Sequence, residues 1–235
     1  SAAGAPSLIA ALAAQTASPG PAQRVAELRS AYATWQQPRP DPGAVQMAEI
    51  VRWLSAHLPK DAIVTNGAGN YAAWLHRYFR FKGYRSQLAP TSGSMGYGLP
   101  SAIAAKLVHP DRVVVAFAGD GCFQMTGAEL ATATQHRAGV IVLVVNNGQY
   151  GTIRMHQERT FPGRVSGTAL INPDFAALAA ACGAWSARVT ETAGFAEAFA
   201  GARAATMDGR PALIELITDP AAIAPGLALS DLAGD

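Results

Sequence analysis

The side chains with the clearest chemical potential are a carboxylate and a carboxamide, Asp120 and Asn147. Asp120 sits in Gly119-Asp120-Gly121 and Asn147 closes Asn146-Asn147, with 24 residues, positions 122–145, between the two motifs. Both are hard oxygen donors, suited to Mg2+ or Ca2+ rather than Zn2+. Two protein oxygens do not fill an octahedron, and Mg2+ usually completes its shell with water and substrate phosphate. Gly119 and Gly121 allow a backbone to approach a phosphate closely, and Cys122 follows in the same loop. These residues read as a metal bridging the protein to a phosphorylated cofactor. An ordinary turn at Gly119–Gly121 and a polar strand exit at Asn146-Asn147 is the plainer alternative.

For the two side chains to meet, two strand ends must share one edge of a sheet. Val113–Phe117 and Val140–Val145 are apolar runs of strand length, each leading into one of the motifs, as buried parallel strands do. Thr126–Arg137 between them reads as a crossover helix, with Thr126 and Glu129 at capping-box spacing. A right-handed β-α-β unit puts both strand ends at the edge where open α/β sheets bind ligands. The same grammar recurs upstream. A strand at Ala62–Thr65 runs into Asn66-Gly67-Ala68-Gly69-Asn70-Tyr71 and then a helix at Ala72–Phe79. Backbone N–H groups and a helix dipole at such a turn attract an anion, though a plain tight turn accounts for the glycines equally well. Ser86–Leu88 is a short strand before the glycine-rich Thr91–Gly98, and Ser101–Val108 is a helix. Val45–Leu58 has apolar residues at helical spacing. After Asn172-Pro173-Asp174 come a helix (Phe175–Cys182), a strand (Ala184–Val189), a helix (Gly194–Met207) and a strand (Ala212–Ile217). The fold class expected is α/β, a doubly wound, mainly parallel sheet with helices on both faces.

With 235 residues, half of them hydrophobic, the chain suffices for one sizeable core. A net charge of +2, 14% charged residues and the lack of a basic run argue against nucleic acid as a partner. No apolar stretch has the length of a membrane span. Two cysteines, Cys122 and Cys182, make neither a disulfide framework nor a zinc pattern, which favours a cytoplasmic setting. Residues 1–37 hold two Ala-rich helices, Ser7–Gln15 and Ala22–Gln37, around Ser18-Pro19-Gly20-Pro21. A proline-bearing linker is expected at 38–43, the main domain at 44–219 and a tail at 220–235. The chain opens on Ser1 and its first methionine is Met47, so it is expected to be a piece of a longer protein or one processed half.

GDG, 24 residues and NN, set at the ends of successive strands, resemble the signature of thiamine diphosphate (ThDP) enzymes. Gly93-Ser94-Met95-Gly96 is similar to the GxMG loop of their acetolactate synthase-like members. From about Pro42 to Asp219 the chain resembles the C-terminal, diphosphate-binding domain of the acetolactate synthase and 2-oxo acid decarboxylase group, and residues 1–37 resemble the end of the central domain before it. The resemblance implies ThDP and Mg2+ as cofactors, with metal ligands from Asp120, Asn147 and the backbone carbonyl of Gln149. It implies diphosphate contacts from Gly67, Gly69, Asn70, Tyr71, Tyr150 and Gly151, beside the Gly119–Cys122 loop. Met95 would wedge between the cofactor rings, and the Gly93 carbonyl would accept from the aminopyrimidine. Members of the family decarboxylate a 2-oxo acid, pyruvate-like in this group, and either release the product or ligate it to a second carbonyl compound.

The family's glutamate, which hydrogen-bonds the pyrimidine ring, comes from a separate pyrimidine-binding domain, usually on a partner subunit of a homo-dimer or tetramer. No residue here matches it, so the chain alone is expected to be inactive and no catalytic residue is assigned. Two departures touch the substrate: His156 stands where acetolactate synthases commonly have tryptophan, and Ile153 where some decarboxylases have an acid. A separate cofactor subunit of a two-chain decarboxylase, or a non-catalytic ThDP- or nucleotide-binding module, are the alternative readings.

Overall fold

The computed structural model describes residues 5–14 and 22–232. Ser1, Gln15, the Ser18-Pro19-Gly20-Pro21 separator and residues 233–235 of the expected tail lie outside the described residues. The chain divides into two compact units, Ser1–Gln37 and Pro38–Asp235. The first contains helices α1 (Ala5–Ala13) and α2 (Ala22–Trp35). The second contains the sheet and every motif singled out above.

That unit begins with a stretch tied down by side chains. Gln46 Oε1 accepts from the Asp41 N–H at 2.8 Å, and its Nε2 donates to the carbonyls of Asp41 and Gly43. Residues 38–43, expected as linker, therefore run along the domain, and Asp41 is buried. Helix α3 (Met47–His57) then buries the stripe Met47, Ile50, Val51 and Leu54.

Six strands follow: β1 (Ile63–Asn66), β2 (Gln87–Leu88), β3 (Val114–Gly119), β4 (Ile141–Asn146), β5 (Trp185–Val189) and β6 (Ala212–Ile217). Every neighbouring pair is parallel, in the order β2-β1-β3-β4-β6-β5. β3 is buried at all of its positions and β4 at all but Asn146. Burial on both faces is why their sequences run continuously apolar instead of alternating. The helices joining the strands are α4 (Ala72–Tyr78), α5 (Gly98–Val108), α6 (Asp120–Gln124), α7 (Glu129–Gln135), α8 (Gly151–Thr160), α9 (Phe175–Ala181) and α10 (Phe195–Met207). α5 packs on β1 and β3, and α9 and α10 pack on β5 and β6. The chain leaves β1 toward β2 on one side and returns to β3 on the other, which makes a topological switch point at their carboxyl ends.

Local expectations fail in two places, and tertiary partners explain both. The capping box does not form: α7 has Ala128 at its N-cap with no side-chain bond. Thr126 Oγ1 instead donates to the Gly96 carbonyl at 2.8 Å, and Glu129 accepts from Thr132 Oγ1. The expected crossover helix thereby shortens, while helix already begins at Asp120, inside the supposed turn. The stretch expected as a tail pairs β7 (Ala222–Ala224) with β8 (Leu227–Ala228) in an antiparallel hairpin that buries Ile223. Among the described residues no helix is long and apolar enough to cross a membrane.

Candidate functional site

A cleft of about 740 Å³, part of it open solvent, lies at the switch point. Its walls come from the segments following β1, β3 and β4 together with Met95, Asp41 and the hairpin residues Ala222 and Ile223. Twelve of the fourteen residues assigned to cofactor binding from sequence line it: Gly69, Asn70, Tyr71, Met95, Gly119, Asp120, Gly121, Cys122, Asn147, Gln149, Tyr150 and Gly151. Gly67 lies buried behind it, donating its N–H to the Phe117 carbonyl, and Gly93 is exposed outside it.

Asp120 and Asn147 do converge. β3 and β4 pair in register with Gly119 opposite Val145, so the residues that follow emerge side by side. Asp120 is buried, and its Oδ1 accepts from the Gly121 N–H at 2.8 Å. Its Oδ2 accepts from the Gly148 N–H at 2.8 Å and from Asn172 Nδ2 at 2.7 Å. Burial pushes this carboxyl above the ordinary carboxylate range, and the hydrogen bonds from Asn172 and from the Gly121, Gly148 and Gln149 backbone only partly oppose that. Asn147 Oδ1 accepts from the Gln149 N–H, and the Gln149 carbonyl from the Gly151 N–H.

Steric fit explains the glycines here. A Cβ on Gly121 would overlap the Tyr150 ring, so only glycine lets the two loops close on each other. Gly148 takes φ +67°, a left-handed turn that aims its N–H at Asp120. The Gln149 side chain, for which no role is expected from sequence, is buried as a clamp. Its Nε2 donates to the Pro220 carbonyl at 2.5 Å and its Oε1 accepts from Arg154 Nη1 at 2.7 Å.

Asn70 and Thr152 tie the turn after β1 to the first turn of α8. The Asn70 N–H donates to Thr152 Oγ1 at 3.0 Å, and that hydroxyl donates to Asn70 Oδ1 at 2.9 Å. Asn70 Nδ2 has a thioether contact, Met155 Sδ at 3.7 Å. Tyr71 packs its ring over Gly119 and meets Cys122 Sγ at 3.4 Å. Burial first, and Cys122 second, push the phenol well above its ordinary value, so it stays neutral. The first turn of α8, Gly151–Ile153, also lines the cleft, where the positive end of the helix dipole favours an anion.

The donor set fits a hard cation and a phosphate. Its oxygens are one carboxylate, one amide and one backbone carbonyl, and each retains lone-pair capacity beyond the bonds above. Among the described residues no three His, Cys, Asp or Glu side chains gather as a softer metal would need. Sequence reasoning missed Asn172 and the Gly148 N–H. Asn172 is visible only as the residue before Pro173-Asp174, an entry to α9, and nothing in its spacing points to Asp120.

Residues 67–216 match the family described as thiamine pyrophosphate enzyme, C-terminal TPP binding domain. The chain belongs to this family. It is 38% identical over 167 residues to the mitochondrial acetolactate synthase catalytic subunit of Aspergillus candidus, covering 71% of this chain and 24% of that protein. It is 36% identical over 174 residues to the acetolactate synthase large subunit of Corynebacterium glutamicum, covering 72% and 28%. Among solved structures, the thiamine diphosphate-dependent 4-hydroxybenzoylformate decarboxylase of Rhodococcus jostii RHA1 superposes with a TM-score of 0.69 at 31% identity, over 75% of this chain and 33% of that one. The chain thus spans about a quarter of the length of these curated relatives. Its six-stranded parallel α/β sheet is that family's fold, and the matched residues 67–216 resemble the TPP-binding domain of acetolactate synthases.

Proposed function

We propose that this domain holds Mg2+ and the diphosphate of ThDP for an enzyme that decarboxylates a pyruvate-like 2-oxo acid and releases the product or ligates it to a second carbonyl compound. The observation that carries the reading is that Asp120, Asn147 and Gln149 line one cleft, with the Asp120 carboxylate accepting from the N–H of Gly148 between the other two. Asp120, Asn147 and the Gln149 carbonyl would hold Mg2+. The first turn of α8, with Asn70 and the Gly119–Cys122 loop, would bind the diphosphate, and Met95 would support the ring portion. When bound, ThDP supplies the electron sink that decarboxylation of a 2-oxo acid requires.

The acid for the pyrimidine ring is not assigned to this chain. Glu129 is engaged by Thr132 on α7 and does not line the cleft. A pyrimidine-binding domain, encoded upstream or carried by a partner subunit, would supply it, with residues 1–37 as the end of a central domain and the whole as a homo-dimer or tetramer in the cytoplasm. Isothermal titration calorimetry tests the reading: ThDP should bind only with Mg2+ present, and the purified chain should not turn over pyruvate. Turnover by this polypeptide alone refutes the half-site, and preferential binding of a nucleotide refutes the cofactor.

A further inference from the structure

Three strands carry a polar ladder that ends at Asp120. On β5, Arg188 stands opposite Glu215 of β6, and its Nε donates to Glu215 Oε2 at 2.8 Å. Glu215 is 1% exposed, and on its other side Oε1 accepts from Asn146 Nδ2 on β4 at 2.8 Å. Asn146 therefore turns its Oδ1 toward the site. There it accepts from Asn172 Nδ2 at 2.8 Å and from the Gly148 N–H at 3.2 Å. These are the same two donors that bind Asp120 Oδ2. Two acceptors, Asn146 Oδ1 and Asp120 Oδ2, thus share two donors in a closed ring.

An amide has one accepting end and one donating end. Turned over, Asn146 would aim its Nδ2 at the N–H of Gly148 and the Nδ2 of Asn172, and its oxygen at the Glu215 carboxylate. Both contacts would be repulsive. We propose that Glu215 is a positioning residue for the oxygen cluster: by accepting from Asn146 Nδ2 it fixes the end of that amide facing the site, and so holds Asn172 and Gly148 on Asp120. The loop it holds includes Asn147 and Gln149. The consequence for cation affinity rests on the function proposed above; the orientation of Asn146 does not.

Glu215→Gln is the sharp test. Glutamine at this position would face two donors, Asn146 Nδ2 and Arg188 Nε, with one oxygen. The charged donor makes the stronger bond, which leaves an NH2 facing Asn146. In 1H–15N spectra of the full chain without cofactor, the Gly148 amide and the Asn172 side-chain NH2 should shift. Mg2+ affinity at saturating ThDP should fall about tenfold, the scale of partners that orient metal ligands. Arg188→Gln keeps the Glu215 acceptor, so it should lower stability while leaving those resonances and the affinity near wild type. Glu215→Gln without effect on either resonance overturns the proposal, as does Arg188→Gln moving them equally. If the wild type binds no Mg2+ with ThDP, the functional reading fails while the spectra still judge the orientation. Should Glu215→Gln not fold, the wild type decides: side-chain amide protons of Asn146 and Asn172 should exchange slowly, and rapid exchange overturns it.

Discussion

Asp120, just past the end of β3, and Glu215, within β6, are both buried, and their charges are met differently. Glu215 has its cation built in: Arg188 lies 2.8 Å away and reaches on to Asp174. Asp120 is ringed by neutral donors, and none of the ion pairs among the described residues includes it. Hydrogen bonds reduce the cost of burying a charge without neutralising it. The first acid completes the fold with the chain's own residues. The second is arranged so that a divalent ion would complete it, beside the helix end and amides that suit a phosphate.

Replacing Asp120 should break this contrast most severely. Asp120→Asn puts an NH2 among donors that all need an acceptor, since both carboxylate oxygens already accept backbone or side-chain N–H groups. Mg2+-dependent ThDP binding by calorimetry should vanish, while the cofactor-free protein loses about 1–3 kcal/mol in urea unfolding, the cost of a buried donor left unpaired. Retained binding would show that the cation sits elsewhere. Arg188→Ala attacks the other acid and should invert the pattern. Stranding Glu215 should cost about 2 kcal/mol, less than the roughly 3–5 typical of fully buried pairs because the Arg188 side chain is 42% exposed. ThDP binding should persist. Equal damage to binding from both variants would erase the distinction between an acid for the fold and an acid for the ligand.

The sequence exposed the second acid far better than the first. Asp120 and Asn147 are legible because two apolar runs end in oxygen donors, and strand-end chemistry is local. Glu215 sits within Ala212–Ile217, where a polar residue in an otherwise apolar strand carries no indication of its partners. Arg188 and Asn146 are linked to Glu215 only through the pairing of β4, β5 and β6, which register creates and spacing does not reveal, and Asn172 reaches Asp120 from the segment before α9. The Thr126–Glu129 capping motif misled for the converse reason, since a long-range acceptor at Gly96 took the hydroxyl a local rule assigned to the helix. Likewise the Ala- and Pro-rich composition after Asp219 hid a hairpin whose Ile223 reaches the cleft.

A third buried acid sharpens the comparison with the smallest expected effect. Asp41 is 7% exposed, lines the same cleft, and its Oδ2 accepts from Trp74 Nε1 at 2.7 Å. Burial raises its carboxyl above the ordinary value, with the indole bond opposing. A raised pKa means the native state holds the proton more tightly than the unfolded chain. Its contribution to stability is therefore complete below the ordinary carboxylate pKa and is lost as pH rises through the raised one. Asp41→Asn does not titrate, and Asp120, common to both proteins and chemically unchanged, cancels in their difference. The stability of wild type minus that of Asp41→Asn, from urea unfolding at a series of pH values, should therefore fall across that window and level off above it. A difference that rises with pH would mean that Asp41 is stabilised as an anion by the fold, and would remove it from the class of buried acids to which Asp120 belongs.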